Sequence, residues 1–226
     1  ILKRMGDRKM QTLLFSASMP QSVQKLVKRL LNEDFEKVEV TPVSTTVEAI
    51  DQSVYFVDRE NKKKLLLYTL RDPALDRALV FVRTKSGADK VAHDLARAHV
   101  GASAIHGDKS QIDRQNALNR FKEGKIRVLV ATDIAARGLD ISELSHVINY
   151  DVPNEPENYV HRIGRTGRAR RKGVAWSLVS NFPEQARLED ICKYCQFTVK
   201  KMVLDENGTL TEEEVKAPVK PRRRLR

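Results

Sequence analysis

The chain has 226 residues, 41% hydrophobic and 31% charged, the make-up of an ordinary globular protein long enough to bury a core. No apolar run approaches bilayer-spanning length, and the first residues are charged with no secretory leader. The formal net charge is +11, and the tail from Val203 nearly cancels with six basic and five acidic residues, so the body carries the excess and favours a polyanionic partner, nucleic acid being the commonest.

Gln11 to Phe15 reads as a short buried strand, followed by Ser16-Ala17-Ser18 and by a helix that Pro20 opens. Val23, Leu26, Val27, Leu30 and Leu31 fall on one face of that helix. Residues 1–32 are the remnant of a leading domain, 33–48 a linker, 49–202 the main domain and 203–226 a disordered charged tail. From Ile50 the pattern becomes regular. Strands are expected at Ile50–Val57, Ala78–Val82, Ser103–Ile105, Ile126–Ala131, His146–Tyr150 and Val174–Val179, the last of the chain. Helices are expected at Lys62–Arg71, behind a Ser86–Asp89 capping box, behind a Ser110–Asp113 capping box, at Pro156–Ile163 and at Pro183–Tyr194. Continuous apolar runs such as ALVFV at Ala78–Val82 suit strands covered on both faces. Strands alternating with helices imply βαβ crossovers and a mostly parallel sheet with helices on both faces. Ligands then bind at the carboxyl ends of the strands, where Arg83-Thr84-Lys85, His106-Gly107-Asp108, Thr132-Asp133 and Asp151 fall.

Five arginines lie within ten residues: Arg162, Arg165, Arg168, Arg170 and Arg171. Like charges packed so closely need an anion or water to neutralise them, and Gly164 and Gly167 would let the guanidinium forks converge on a phosphate. Cys192 and Cys195 form a C-x-x-C pair, but no second ligand pair stands at zinc spacing, and the pair lies in a helical stretch. They read as reduced thiols, and no metal ligand is assigned to the chain.

Five short motifs stand in order: SAS at Ser16–Ser18, VFVRTK at Val80–Lys85, HGDKSQIDR at His106–Arg114, TDIAARGLD at Thr132–Asp140 and HRIGRTGR at His161–Arg168. With these the chain resembles the C-terminal RecA-like domain of a DEAD-box ATP-dependent RNA helicase, most like the bacterial RhlE-type group, over about Gln11 to Lys201. The resemblance implies a RecA-like, P-loop NTPase-like α/β fold and an enzyme whose RNA-stimulated ATP hydrolysis drives local duplex unwinding. It implies that Arg165 and Arg168 are catalytic, reaching the γ-phosphate of ATP. Gly138 and Asp140 would complete the ATP site, with Asp140 on the ribose hydroxyls. Arg83, Thr84, Gly107, Gln111, Arg114 and Thr132 would face RNA. Ser16, Ser18 and His161 would couple the two domains. Local ion pairs and helix capping are the plain alternatives for these arginines and for Asp140.

Two departures matter. Ser18 replaces the usual Thr of the S-A-T motif but keeps the hydroxyl. No G-x-x-x-x-G-K-[ST] loop and no D-E-A-D run occur. The resemblance places both, with the Mg2+ that accompanies ATP, on an N-terminal RecA-like domain, so the chain is expected to be a piece of a longer cytoplasmic, monomeric enzyme and inactive by itself. The partners implied are RNA, ATP and that domain, with no membrane. The rival readings are a DNA-directed helicase of the same superfamily and a stand-alone RNA-binding adaptor.

Overall fold

The computed structural model describes residues 11–16, 19, 21–31, 35–38, 50–141, 144–167, 173–195, 200–204 and 210–213. The chain divides into two compact units, Ile1–Pro42 and Val43–Arg226.

In the first unit, helix α1 spans Gln21–Leu30 and buries Val27, while Leu26 stays exposed. The strand expected at Gln11–Phe15 does not form. The segment is irregular, with Leu13 67% and Phe15 90% exposed. A strand needs a neighbour for its backbone groups, and the described residues of this unit provide none.

The second unit follows the alternation read from the sequence: β1 Ile50–Phe56, α2 Lys62–Thr69, β2 Ala78–Phe81, α3 Lys85–Arg97, β3 Ala102–Ile105, α4 Gln111–Lys122, β4 Val128–Ala131, α5 Asp133–Ala136, β5 His146–Asn149, α6 Pro156–Ile163, β6 Gly173–Val179 and α7 Phe182–Cys195. Two further strands, β7 Lys200–Leu204 and β8 Leu210–Glu213, were not expected. They give an eight-stranded sheet in the order β3-β4-β2-β5-β6-β1-β7-β8. Every neighbouring pair is parallel except β7 with β8. Val203, Leu204 and Leu210–Glu213, assigned to a structureless tail by their charged surroundings, are therefore strand residues. The pairing edge of β1 overrides local composition there. Residues 205–209 and 214–226 of the expected tail, and 33–34 and 39–48 of the expected linker, lie outside the described residues.

Period-2 alternation sorts each central strand between two cores. Ala78, Val80 and Val82 pack with Leu65 and Leu66 of α2 and with Ala88, Val91 and Leu95 of α3. Their neighbours Leu79 and Phe81 face the other way, onto Ala117, Leu118 and Phe121 of α4 and Ala135 of α5. Ala175 and Val179 of β6 meet Tyr159 and Ile163 of α6 and Leu188 and Ile191 of α7, while Trp176 and Leu178 join the first core. Helices thus cover both faces, and each buried aliphatic side chain contributes roughly 1.5–3 kcal/mol.

The helix starts differ in one respect from the sequence reading. Ser110 caps α4 as expected, its Oγ accepting from the Asp113 amide at 3.1 Å. Ser110→Ala is expected to lower stability by about 1 kcal/mol in a urea titration. At α3 the cap is Thr84, not Ser86, because the helix begins at Lys85 and the Thr84 hydroxyl accepts from the Gly87 amide at 3.0 Å. Of the two glycines in the arginine run, Gly164 has an ordinary φ of −63°. Gly167 has φ +70°, and a Cβ there would lie 2.7 Å from Ile50 Cγ1, so close packing rather than ligand access demands that glycine.

Candidate nucleotide and RNA interface

Because β3, β4, β2 and β5 are parallel neighbours, their last residues stand level: Ile105 beside Ala131, Ala131 beside Phe81, and Phe81 beside Asn149. The exits after them form one row across three strand spacings, about 15 Å. Gly107 follows β3, Thr132 follows β4, Arg83 and Thr84 follow β2, and Asp151 follows β5.

Within this row the Thr132 amide donates to Ile105 O at 3.3 Å, and Thr132 itself is 9% exposed. Arg83 is exposed, and its amide donates to the Asp151 carboxylate at 2.9 Å. The Thr84 hydroxyl is committed to its helix cap. Gln111 and Arg114 sit in the first turn of α4, where Arg114 Nη2 reaches Ala135 O at 3.4 Å and so ties α4 to α5. Beneath Gly107, buried His106 shares Asp89 with Lys109. The bonds from Lys109 first, then His106, hold the Asp89 carboxyl below its usual range. The six residues read as RNA-facing thus stand along one edge, at strand exits and one helix start.

The second group lies between the β4 exit and the end of α6. Gly138 turns the chain with φ +72° into Leu139-Asp140-Ile141. Arg165, just past α6, donates from Nη1 to Leu139 O at 2.9 Å and to Ile141 O at 3.5 Å. Its guanidinium is therefore held by the carbonyls on either side of Asp140. The Asp140 side chain is 90% exposed and pairs with Lys122 at 2.9 Å, which keeps its carboxyl below the usual range. His161 is exposed on α6, and Ser16 is exposed in the first unit. Arg168 and Ser18, like Arg170 and Arg171, lie outside the described residues.

Arg162 departs from the picture of five arginines awaiting an anion. It is 2% exposed and grips Asp133 with two bonds, Nε to Oδ1 at 2.6 Å and Nη2 to Oδ2 at 2.8 Å. Nη1 donates to Asn149 Oδ1 at 3.1 Å and Asp151 O at 2.7 Å, and the guanidinium stacks on Phe81, 4.9 Å from its centroid. The charge is neutralised inside the fold, by a carboxylate of the T-D-I-A-A-R segment.

Comparison with known proteins follows the same pattern. The model for the helicase conserved C-terminal domain matches residues 61–170. The DEAD-box ATP-dependent RNA helicase CshA of Geobacillus kaustophilus is 49% identical over 172 residues, covering 75% of this chain and 36% of that protein. CshA of Bacillus subtilis is 45% identical over 202 residues, covering 89% and 40%. The structure of the E. coli DEAD-box protein SrmB bound to RraA is 39% identical with a TM-score of 0.66, and covers 75% of this chain and 97% of that one. The chain belongs to the DEAD-box family. The RecA-like fold with helices on both faces is that of the family's C-terminal domain, and the RhlE-type grouping stays a resemblance in motifs. S. cerevisiae Dbp5 bound to RNA and ADP BeF3 is 32% identical with a TM-score of 0.76, covering 89% of this chain and 54% of that one. The chain spans only 36–40% of the length of the two CshA proteins.

In this DEAD-box domain the polar residues that sequence reasoning missed are buried ones. Lys62 Nζ, on a side chain 3% exposed, donates to Tyr150 O at 2.8 Å and to both oxygens of Glu184 at 3.1 and 2.9 Å. A signal existed: Lys62, Leu65, Leu66 and Thr69 share the buried face of α2, and Tyr159, Arg162 and Ile163 that of α6. A charge at a core-facing helical position needs a buried partner. Burial pushes the Glu184 carboxyl up, but the bonds from Lys62 and Ser180 outweigh it and leave it below the usual value. A carboxyl depressed in the folded state stabilises above its unfolded pKa of about 4.3 and loses that contribution as pH falls through the folded value. Unfolding free energy should therefore decline below about pH 4, and Glu184→Gln should flatten that decline while lowering the neutral plateau. The Cys192 and Cys195 thiols are free, and burial pushes them up, Cys195 to about 11, so neither is a thiolate at neutral pH. A cleft of about 540 Å³ between α3 and α4, walled by Asp89, His93, Asn116 and Arg120, lies apart from the Arg165 group.

Proposed function

We propose that this chain is the C-terminal half of an ATP-dependent RNA helicase, in which ATP and RNA draw two RecA-like domains together and ATP hydrolysis releases them. The observation that carries the reading is Arg165, held by the carbonyls flanking Asp140 on a domain whose strand exits line up the RNA-facing residues. The names of CshA and the RNA and ADP BeF3 in the Dbp5 complex support it.

On this reading Arg165 and Arg168 lend fixed positive charge to the γ-phosphate as negative charge spreads over its oxygens. Asp140 accepts from the ribose hydroxyls. Its exposed bond to Lys122 contributes little in water, so exchanging that partner is easy. Arg83, Thr84, Gly107, Gln111, Arg114 and Thr132 take phosphate and sugar groups, which carry no base identity, so binding is sequence-tolerant and salt-dependent. Ser16, Ser18 and His161 link this edge to the partner domain. Among the described residues no group of three or more His, Cys, Asp or Glu is placed to hold a metal ion. On this proposal, the Mg2+ that accompanies ATP belongs with the phosphate loop on the other domain, as the family resemblance implies. Among the described residues no helix is long and apolar enough to cross a membrane. The cytoplasmic, monomeric placement is part of this proposal and rests on the family resemblance alone.

The test is ATP turnover by the full-length protein with RNA, with DNA of the same sequence and with neither. Stimulation by RNA alone supports the reading. Equal stimulation by DNA favours the DNA-directed rival, because 2′-hydroxyl contacts set that choice. No turnover under any condition leaves the adaptor reading.

A further inference from the structure

We infer that Asp151 is a positioning residue that ties the nucleotide-facing helix α6 to the RNA-facing turn at Arg83, and that the buried Lys62–Glu184 pair fixes it from behind. The functional side of this inference rests on the helicase reading above.

Asp151 stands two residues past β5 and bonds in three directions. Its amide donates to Phe81 O at 3.2 Å, and its carboxylate accepts from the Arg83 amide at 2.9 Å, so it grips the exit of β2 twice. Its carbonyl accepts from Arg162 Nη1 at 2.7 Å, and Arg162 lies on α6 three residues before Arg165. From Arg162 the chain of bonds runs on to Asp133, next to Thr132. One residue therefore joins the end of β2, the end of β5, α6 and the start of α5.

The support behind it is built for placement. Lys62 Nζ bonds Tyr150 O at 2.8 Å and lies 3.8 Å from Asp151 Oδ1, with its remaining bonds to Glu184. Glu184 Oε2 in turn accepts from the Ser180 amide and hydroxyl, both at 2.9 Å. A buried ion pair adds little net stability over an apolar pair of the same size, because desolvation opposes it. What it adds is direction: donors and acceptors aimed at the Tyr150–Asp151 turn from α2 and α7. The Arg83 side chain stays exposed while its amide is held, so the tie controls where Arg83 stands and not what it touches.

The experiment removes the Asp151 carboxylate, which holds Arg83, while the main-chain carbonyl that holds Arg162 survives, so the RNA end should move and the nucleotide end should not. In the full-length protein, Asp151→Ala is expected to raise the RNA concentration giving half-maximal ATP turnover about tenfold, the size of one lost charge-assisted hydrogen bond, and to leave turnover at saturating RNA within about twofold. Asp151→Asn, which keeps a neutral acceptor, falls between the two. A merely structural role would lower the thermal midpoint and the active fraction but leave the RNA requirement unchanged, and that result overturns the inference. In this chain, hydrogen exchange at the Arg83 amide supplies a readout independent of activity. It should quicken about tenfold in Asp151→Ala while Val80 keeps its protection. Equal exchange in variant and wild type overturns the inference whatever the enzyme does. If Asp151→Ala does not fold, Asp151→Asn must quicken the Arg83 amide in the same direction, and no change there is equally fatal. A wild-type protein without RNA-stimulated turnover sinks the helicase reading alone, because the exchange result still decides the placement of Arg83.

Discussion

Arg165→Ala in the full-length protein is expected to lower RNA-stimulated ATP turnover by about 10³-fold or more, close to 4 kcal/mol of barrier. The reason is geometric. The guanidinium is held through Nη1 by Leu139 O and Ile141 O, on both sides of the residue assigned to the ribose. A charge held in place before the reaction needs no reorganisation as phosphate charge develops, so its removal affects the rate more than the binding of ATP. The KM for ATP should accordingly change far less than kcat. Arg165→Lys should recover little, because an ammonium cannot reproduce the planar fork that meets two carbonyls and still presents charge beyond them. Steady-state turnover at saturating RNA decides it. A loss smaller than tenfold would show that the arginine only screens phosphate charge from a distance.

Most of this edge was legible in the sequence, for a physical reason. Four strand exits and a helix start are fixed by local patterns: apolar runs such as Ala78–Val82 and Ile126–Ala131, and the Ser110 cap. A parallel sheet then brings the exits to one side without further instruction. What was not legible depends on partners distant in the chain. Arg162 looked like one more phosphate ligand because Asp133, its neutraliser, is 29 residues away. Lys62 and Glu184 are 122 residues apart, and neither belongs to a motif. The strand expected at Gln11–Phe15 has the right pattern but no strand to pair with among the described residues of its unit. The last two strands have a weak, charged pattern and form because β1 offers an edge. In each case pairing, not propensity, decided the outcome.

Breaking the Arg162–Asp133 pair should be the costliest single change to stability among the polar contacts of the site, and it should be asymmetric. The Arg162 side chain is 2% exposed and that of Asp133 27%. Asp133→Ala leaves a guanidinium buried with Nε and Nη2 stripped of their acceptor, the situation that costs about 3–5 kcal/mol. Arg162→Ala leaves a carboxylate that water can still reach, so its electrostatic penalty is smaller. The loss of packing on Phe81 and the unmet acceptors at Asn149 and Asp151 keep the total near 3 kcal/mol. Replacing both as Asp133→Ala with Arg162→Met removes the uncompensated charge and should recover part of the loss. Urea titration followed by the fluorescence of Trp176, the chain's single tryptophan and a β6 residue of the core, measures all three. If Asp133→Ala proves milder than Arg162→Ala, the arginine is reached by water and the pair is not the closed clamp drawn here. The route from α6 to Thr132 would then lose its rigid link.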